Sequence, residues 1–160
     1  LYHHFPDKKA LGLAVIEEVI RPYMTAMMFT PLLETNRPLA TLQAFVQSKT
    51  MFNDPAEVML GCPLNNLMQE MSPVDETFRL HLNALFQDWV DVVAAALKRG
   101  QAASEVRADV MVDETAFFVV SALEGCVGMS KNTQSVAAFQ GCMTQMSHYL
   151  ETLKAPSQPT

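Results

Sequence analysis

The chain has 160 residues, 49% of them hydrophobic, and 17 acidic side chains outweigh 11 basic ones to give a formal net charge of −6. That length suits one domain with its own core; phosphate affinity depends on Lys and Arg, so this balance makes the chain a poor DNA binder by itself. No apolar run approaches the roughly 18 residues of a membrane span, no charged-then-apolar leader opens the chain, and three cysteines (Cys62, Cys126, Cys142) with no Cys-x-x-Cys pair fit a reduced, cytoplasmic setting.

Residues 1–11, Leu-Tyr-His-His-Phe-Pro-Asp-Lys-Lys-Ala-Leu, read as the end of one helix, a tight turn and the start of a long second helix. Asp7 is a good N-cap, and Pro6 discourages Phe5 from staying helical. Phe5 or Pro6 can pack back on Leu11 as a hydrophobic staple. Lys8 and Lys9 fall in the first turn, where the helix dipole disfavours cations, so these lysines are expected to face something anionic. The stretch resembles the junction in TetR-family transcriptional regulators, where the recognition helix of a helix-turn-helix ends in a Leu-Tyr-x-His-Phe-x-x-Lys pattern. Here that pattern falls on Leu1, Tyr2, His4, Phe5 and Lys8.

The resemblance implies two and a half further helices ahead of Leu1. It divides the chain into the end of a DNA-binding domain (1–7), a ligand-binding and dimerisation domain (8–155) and a short tail (156–160). Tyr2, His3, His4 and Lys8 would then be the trailing edge of the recognition element, touching phosphates. Such contacts position a protein on DNA but carry little sequence information.

From there the pattern is helical throughout, which makes the fold class all-α. The first long helix is expected from Lys8 to about Thr30, burying Leu11, Ala14, Val15, Val19 and Met24. Pro22 should kink it, as a hinge or as a plain packing bend, and Pro31 should stop it. In the resembled family this helix links the DNA-binding head to the sensing body. Asn36 or Arg37 caps the next helix, with Pro38 in its first turn. Leu39, Leu42, Phe45 and Val46 continue it, with Lys49–Phe52 as a possible extension, and Asn53-Asp54-Pro55 marks a turn. A short helix then starts near Pro63, after a Gly61-Cys62 motif similar to one found in many TetR-family sensing domains.

Ser72-Pro73 opens the longest helix, about Val74 to Arg99. Its apolar stripe is Phe78, Leu82, Leu85, Phe86, Trp89, Val93 and Leu97, and Glu76, Arg79, Asn83 and Gln87 form its wetted face. Gly100 should end it. The last two helices are expected at about Asp113–Met129 and Ser135–Lys154. The first offers Ala116, Val119, Leu123 and Cys126; the second spaces Val136, Phe139, Met143, Met146, Leu150 and Leu153 by threes and fours, a seam for helix-on-helix packing. Small residues (Ser121, Ala122, Gly125, Gly128) let another helix approach closely. TetR-family proteins dimerise through their last two long helices, so the resemblance implies a homodimer built on Ala116, Val119, Leu123, Val136, Phe139, Met143, Met146 and Leu150. Periodicity alone leaves open that both seams are spent inside one subunit.

No nucleophile elbow, phosphate-binding Gly loop, His-Glu-x-x-His or paired-Cys metal motif is present. An enzyme, a cofactor or a metal site is therefore not expected. Glu17-Glu18 and Asp75-Glu76 read as solvated charge, and His81 and His148 as isolated side chains. His3 and His4, neighbours on a helix, point about 100° apart and rarely share an ion. Cys62 near a helix N-terminus is either a sensing thiolate or a small buried hydrophobe.

The middle of the chain offers an adaptable apolar lining. Between Tyr23 and Met71 the charges are few, while Met24, Met27, Met28, Phe29, Phe45, Met51, Phe52, Met59 and Met68 recur. Methionine fills irregular spaces and promiscuous sites, and ligand pockets are mostly apolar with a few placed polar groups. A pocket for a small apolar or aromatic ligand is expected from Met24, Met27, Met28, Phe45, Cys62, Asn65, Met68, Phe86 and Trp89. Gln43, Gln47, Asn65, Asn66 and Gln69 are candidate polar groups. The resemblance places that pocket between these helices and the Trp89 helix, and it implies a one-component repressor binding DNA through the full-length protein. The other reading is a helical protein-interaction module without DNA-binding function.

Overall fold

The computed structural model describes residues 5–48 and 54–156. Tyr2, His3 and His4, the proposed Lys49–Phe52 extension and its Met51 and Phe52 lie outside the described residues. Seven helices and their connections make up what is described, and no β-strand occurs there.

The first helical run, α1, spans 8–34. Asp7 caps it as expected, its side chain accepting a hydrogen bond from the Ala10 amide at 2.7 Å. The run does not stop at Pro31. It alternates α-helical turns with two wider π-helical stretches, Val15–Ile20 and Thr25–Phe29, with right-handed helical backbone at each junction. Arg21 and Thr30 donate five residues back, to Ile16 and Thr25. Each wide stretch leads into a proline, Pro22 or Pro31. A proline ring crowds the carbonyl four residues back and has no N–H to give it. A widened turn absorbs both problems, so the helix continues to Glu34. The same widening rotates the buried face: Ile16 and Ile20 are enclosed, whereas Val19, expected inside, is 60% exposed.

The remaining helices are α2 (Pro38–Gln47), α3 (Pro55–Leu60), α4 (Pro63–Met71), α5 (Glu76–Ala102), α6 (Val112–Thr133) and α7 (Val136–Thr152). The short α3 lacks the length for a periodic signal; Asp54 caps it and Gly61, at φ +70°, turns the chain into α4. Helix α5 starts later than Ser72-Pro73, because Asp75 accepts from the Thr77 and Phe78 amides. It is central, packing on α1, α2, α4 and α6, and α7 lies across α6 and α2. Phe78, Leu82, Leu85, Trp89, Val93 and Leu97 are buried along it as the stripe predicted. Gly100 does not end this helix. A Cβ there would sit 2.6 Å from Val106 Cγ2, so the glycine serves close approach of the α5–α6 connection.

That connection is a hub of long-range caps. The Glu105 carboxylate accepts from the Leu39 and Ala40 amides at 3.0 Å each, closing the N-terminus of α2. Arg107 donates to the Thr152 carbonyl at the end of α7 (2.9 Å), and the Gln101 amide satisfies the Arg107 and Val110 carbonyls. Arg99 turns to the Leu32 carbonyl in the last turn of α1.

Polar ties hold α1 to α5. Lys9 meets Asp75 at 2.7 Å, the anionic neighbour its position called for. Glu17 and His81 are not isolated: His81 Nδ1 lies 2.8 Å from Glu17 Oε1, and Arg21 bridges Glu17 and Asp88. The His81 hydrogen bond, and then Arg21, hold the Glu17 carboxyl below its ordinary range against the opposing effect of burial. No helix among the described residues is long and apolar enough to cross a membrane.

Candidate ligand-binding site

A cavity of about 460 Å³ opens between α1, α3, the α3–α4 turn, α5, α6 and α7, within the usual size range of small-molecule sites. Helix α1 supplies Val19, Ile20, Tyr23, Met24 and Met28; Phe45 and Val46 come from α2, Trp89 from α5, and Phe139 and Met143 from α7. The Gly61-Cys62-Pro63 turn forms one wall and Leu123, Glu124 and Val127 of α6 another. Val46, Ser48, Phe139 and Met143 also border a more polar groove of about 720 Å³ reaching Gln140, Thr144, His148 and Glu151.

Of the side chains expected to line a pocket, Met24, Met28, Phe45, Cys62 and Trp89 are brought together here. Met27 is not: its side of the rotated α1 leaves it 47% exposed. Met68 and Phe86 instead pack against the core, with Phe86 edge-on to Phe117 at a ring separation of 6.0 Å. Asn65 stands behind the wall, donating to the Glu124 backbone carbonyl at 3.2 Å. The expected polar groups are spent elsewhere. Gln43 donates to Glu151, Gln47 to Ser147 and Asn66 to the Leu60 carbonyl, while Gln69 reaches Asn65.

The polar group that does occupy the wall is Glu124, 8% exposed. Its carboxyl lies beside the Cys62 thiol and the Asn65 side chain, and Oε2 is buried without a hydrogen-bond partner among the described residues. Burial raises its carboxyl above the ordinary value, against the opposing effect of the Cys62 and Asn65 side chains. The signal for it lay in the spacing: Val120, Glu124 and Val127 share one helical face, so a charge sits on a buried stripe. Cys62 is a half-buried thiol packed against the core. Burial first, then the neighbouring Glu124, pushes its thiol up to about 12, outweighing the amides of the α4 N-terminus. Cys126 and Cys142 adjoin across α6 and α7; burial and that contact push Cys126 up to about 12.

Of the side chains expected at the dimer seam, most are covered in the single chain. Ala116, Val119, Leu123, Phe139, Met146 and Leu150 are buried within the single chain, and Val136 and Met143 are half-buried. They are the faces by which α6 and α7 meet their own subunit. The outward faces carry Phe118 (51% exposed), Met129 (62% exposed), Gly125 and Gly141; a Cβ added at either glycine would meet nothing within 4 Å among the described residues. Lys8 is exposed at the start of α1.

Residues 38–146 match the family model of the tetracyclin repressor-like C-terminal domain. The chain is similar to the uncharacterized HTH-type transcriptional regulator in the lacX 3′ region of Lactococcus lactis subsp. lactis, 33% identical over 98 residues, 60% of this chain and 49% of that protein. It is also similar to the HTH-type transcriptional repressor DhaR of Mycobacterium sp. (strain GP1), 25% identical over 126 residues, 79% of this chain and 62% of that one. The chain thus spans about half the length of the curated relatives it matches.

Among solved structures, the regulatory protein TetR from Rhodobacter sphaeroides superposes with a TM-score of 0.78 at 25% identity, covering 92% of this chain and 78% of that one. A TetR-family regulator from Cytophaga hutchinsonii shares the fold with a TM-score of 0.81 at 20% identity, over 98% of this chain and 78% of that one. The family match, the regulators among its relatives and the all-α fold agree: the chain belongs to the TetR family of transcriptional regulators and carries their C-terminal domain.

Proposed function

We propose that this chain is the sensing and dimerisation body of a one-component cytoplasmic regulator, a repressor, that binds DNA through the full-length protein and a small, largely apolar ligand in the cavity described above. The observation that carries this reading is the composition of the cavity wall. Helix α1, the element nearest the N-terminus, supplies five of the lining residues, Val19, Ile20, Tyr23, Met24 and Met28. A ligand that favours one seating of α1 over another shifts the population of head positions. In a dimer, that changes the fit of two recognition helices to successive major grooves. The wide turns before Pro22 and Pro31 give α1 a backbone that can re-seat without breaking, and its ties to α5 (Lys9 to Asp75, Glu17 to His81, Arg21 to Asp88) are partly exposed polar contacts. Lys8 would face the DNA backbone.

The homodimer is assigned to the outward faces of α6 and α7, where small residues at Gly125 and Gly141 permit close approach and Phe118 and Met129 offer apolar cover. Sedimentation velocity tests this. The chain, 17.7 kDa, should sediment at twice its mass at micromolar concentration, and Gly141→Arg should sediment as a monomer with unchanged circular dichroism. A monomeric wild-type chain, or a Gly141→Arg variant that stays dimeric, contradicts the assignment.

A further inference from the structure

Resting on the sensor reading, we infer that the cavity takes an organic cation, a lipophilic amine whose ammonium group is held by Glu124 while its apolar body fills the space beside Trp89. Glu124 has no structural reason to be acidic. Among the described residues it caps no helix and pairs with no cation, and it shares its stripe with Val120, Leu123 and Val127, where an apolar side chain would pack. The groups beside its carboxyl, the Cys62 thiol and the Asn65 amide, are neutral, and Oε2 has no hydrogen-bond partner among the described residues. An enclosed carboxylate oxygen lacking a donor is costly, and a bound ammonium supplies the missing N–H and the missing charge together.

The rest of the lining selects the same sign. Glu57 is the other charged residue there, and no Lys, Arg or His lines the cavity among the described residues. An anionic ligand would meet two acids and no base. Tyr23, Phe45 and Trp89 add aromatic faces, which attract cations, and the methionines adapt to the body attached to them.

Trp89 is the chain's single tryptophan and lines the cavity, so its emission reports occupancy directly. Three probes share one cage and differ in charge: adamantylamine, adamantanol and adamantane carboxylate. Titrated against the whole chain at neutral pH, the amine should bind roughly tenfold or more tighter than the alcohol, as expected for a charge-assisted hydrogen bond, and the carboxylate weakest. Glu124→Gln should bring the amine to the alcohol's affinity and leave the alcohol unchanged; Glu124→Leu, read the same way, guards against a variant-specific distortion. Equal binding of amine and alcohol in wild type overturns the cation assignment while leaving an apolar sensor in place. Tightest binding of the carboxylate, or no binding of any probe, overturns it as well. The sensor reading is then judged separately, by DNA binding of the full-length protein.

Discussion

Glu105→Ala is expected to destabilise the fold by about 2–4 kcal/mol, lowering Tm by roughly 5–15 °C for a domain of this size. Helix α2 begins with Pro38, which has no N–H, and its N-cap Arg37 makes no side-chain capping bond. The amides of Leu39 and Ala40 are bonded instead by both oxygens of Glu105, brought from the α5–α6 connection. A carboxylate at the positive end of a helix gains from two charge-assisted hydrogen bonds and from the dipole. The site is partly buried, so water replaces these bonds poorly after truncation. Glu105→Gln, keeping one good acceptor, should lose about half as much. Urea denaturation of the three proteins checks this. An alanine variant within about 0.5 kcal/mol of wild type, the range of a neutral surface change, would mean that α2 needs no remote cap.

The second large effect has the opposite sign. Without ligand, Glu124→Leu should be more stable than wild type at neutral pH by about 1–3 kcal/mol, because it replaces a poorly satisfied buried acid by a side chain that suits the stripe. The pH dependence of the isosteric Glu124→Gln variant isolates the cause. The folded carboxyl of Glu124 lies above its ordinary value of 4.5, raised by burial. A group raised on folding binds its proton more tightly in the native state. Its favourable contribution is full below the unfolded value and is lost as pH climbs through the folded one. The stability of Glu124→Gln relative to wild type should therefore increase upward from pH 4.5 and then level off. Glu17, lowered by His81 and Arg21, works the other way: its contribution is present above the unfolded value of 4.5 and lost as pH falls below that. It titrates in both proteins and cancels in the difference. A pH-independent difference, or a leucine variant less stable than wild type at neutral pH, would show that Glu124 is a structural residue satisfied by Cys62 and Asn65.

Much of the fold was legible because helices announce themselves by caps and period. Asp7 caps as its residue type suggested, and the α5 stripe from Phe78 to Leu97 is buried. The family resemblance carried by residues 1–11 and Gly61-Cys62 pointed to the family that the comparisons show. Reading failed where local rules are overridden by distant groups. Two prolines were absorbed by π turns, which moved the buried face of α1 from Val19 to Ile16 and Ile20. Gly100 looked like a terminator but makes room for Val106, and Glu105 caps a helix more than sixty residues earlier, which no window along the chain can see. For the last two helices, period located the buried stripes correctly but could not say whose surface covers them. Glu124 was missed for a different reason. A lone acid in a long helix is usually solvated, and only its place between Val120 and Val127 marks it as enclosed.

Fluorescence anisotropy of the full-length gene product on its own upstream DNA, with the 160-residue chain as control, decides whether this is a DNA-binding regulator. The full-length protein should bind tightly, sequence-selectively and salt-sensitively, and the acidic chain alone should not bind. Absence of selective binding, both on that DNA and on a pool of genomic fragments, would contradict the regulator reading and leave a helical protein-interaction module in its place.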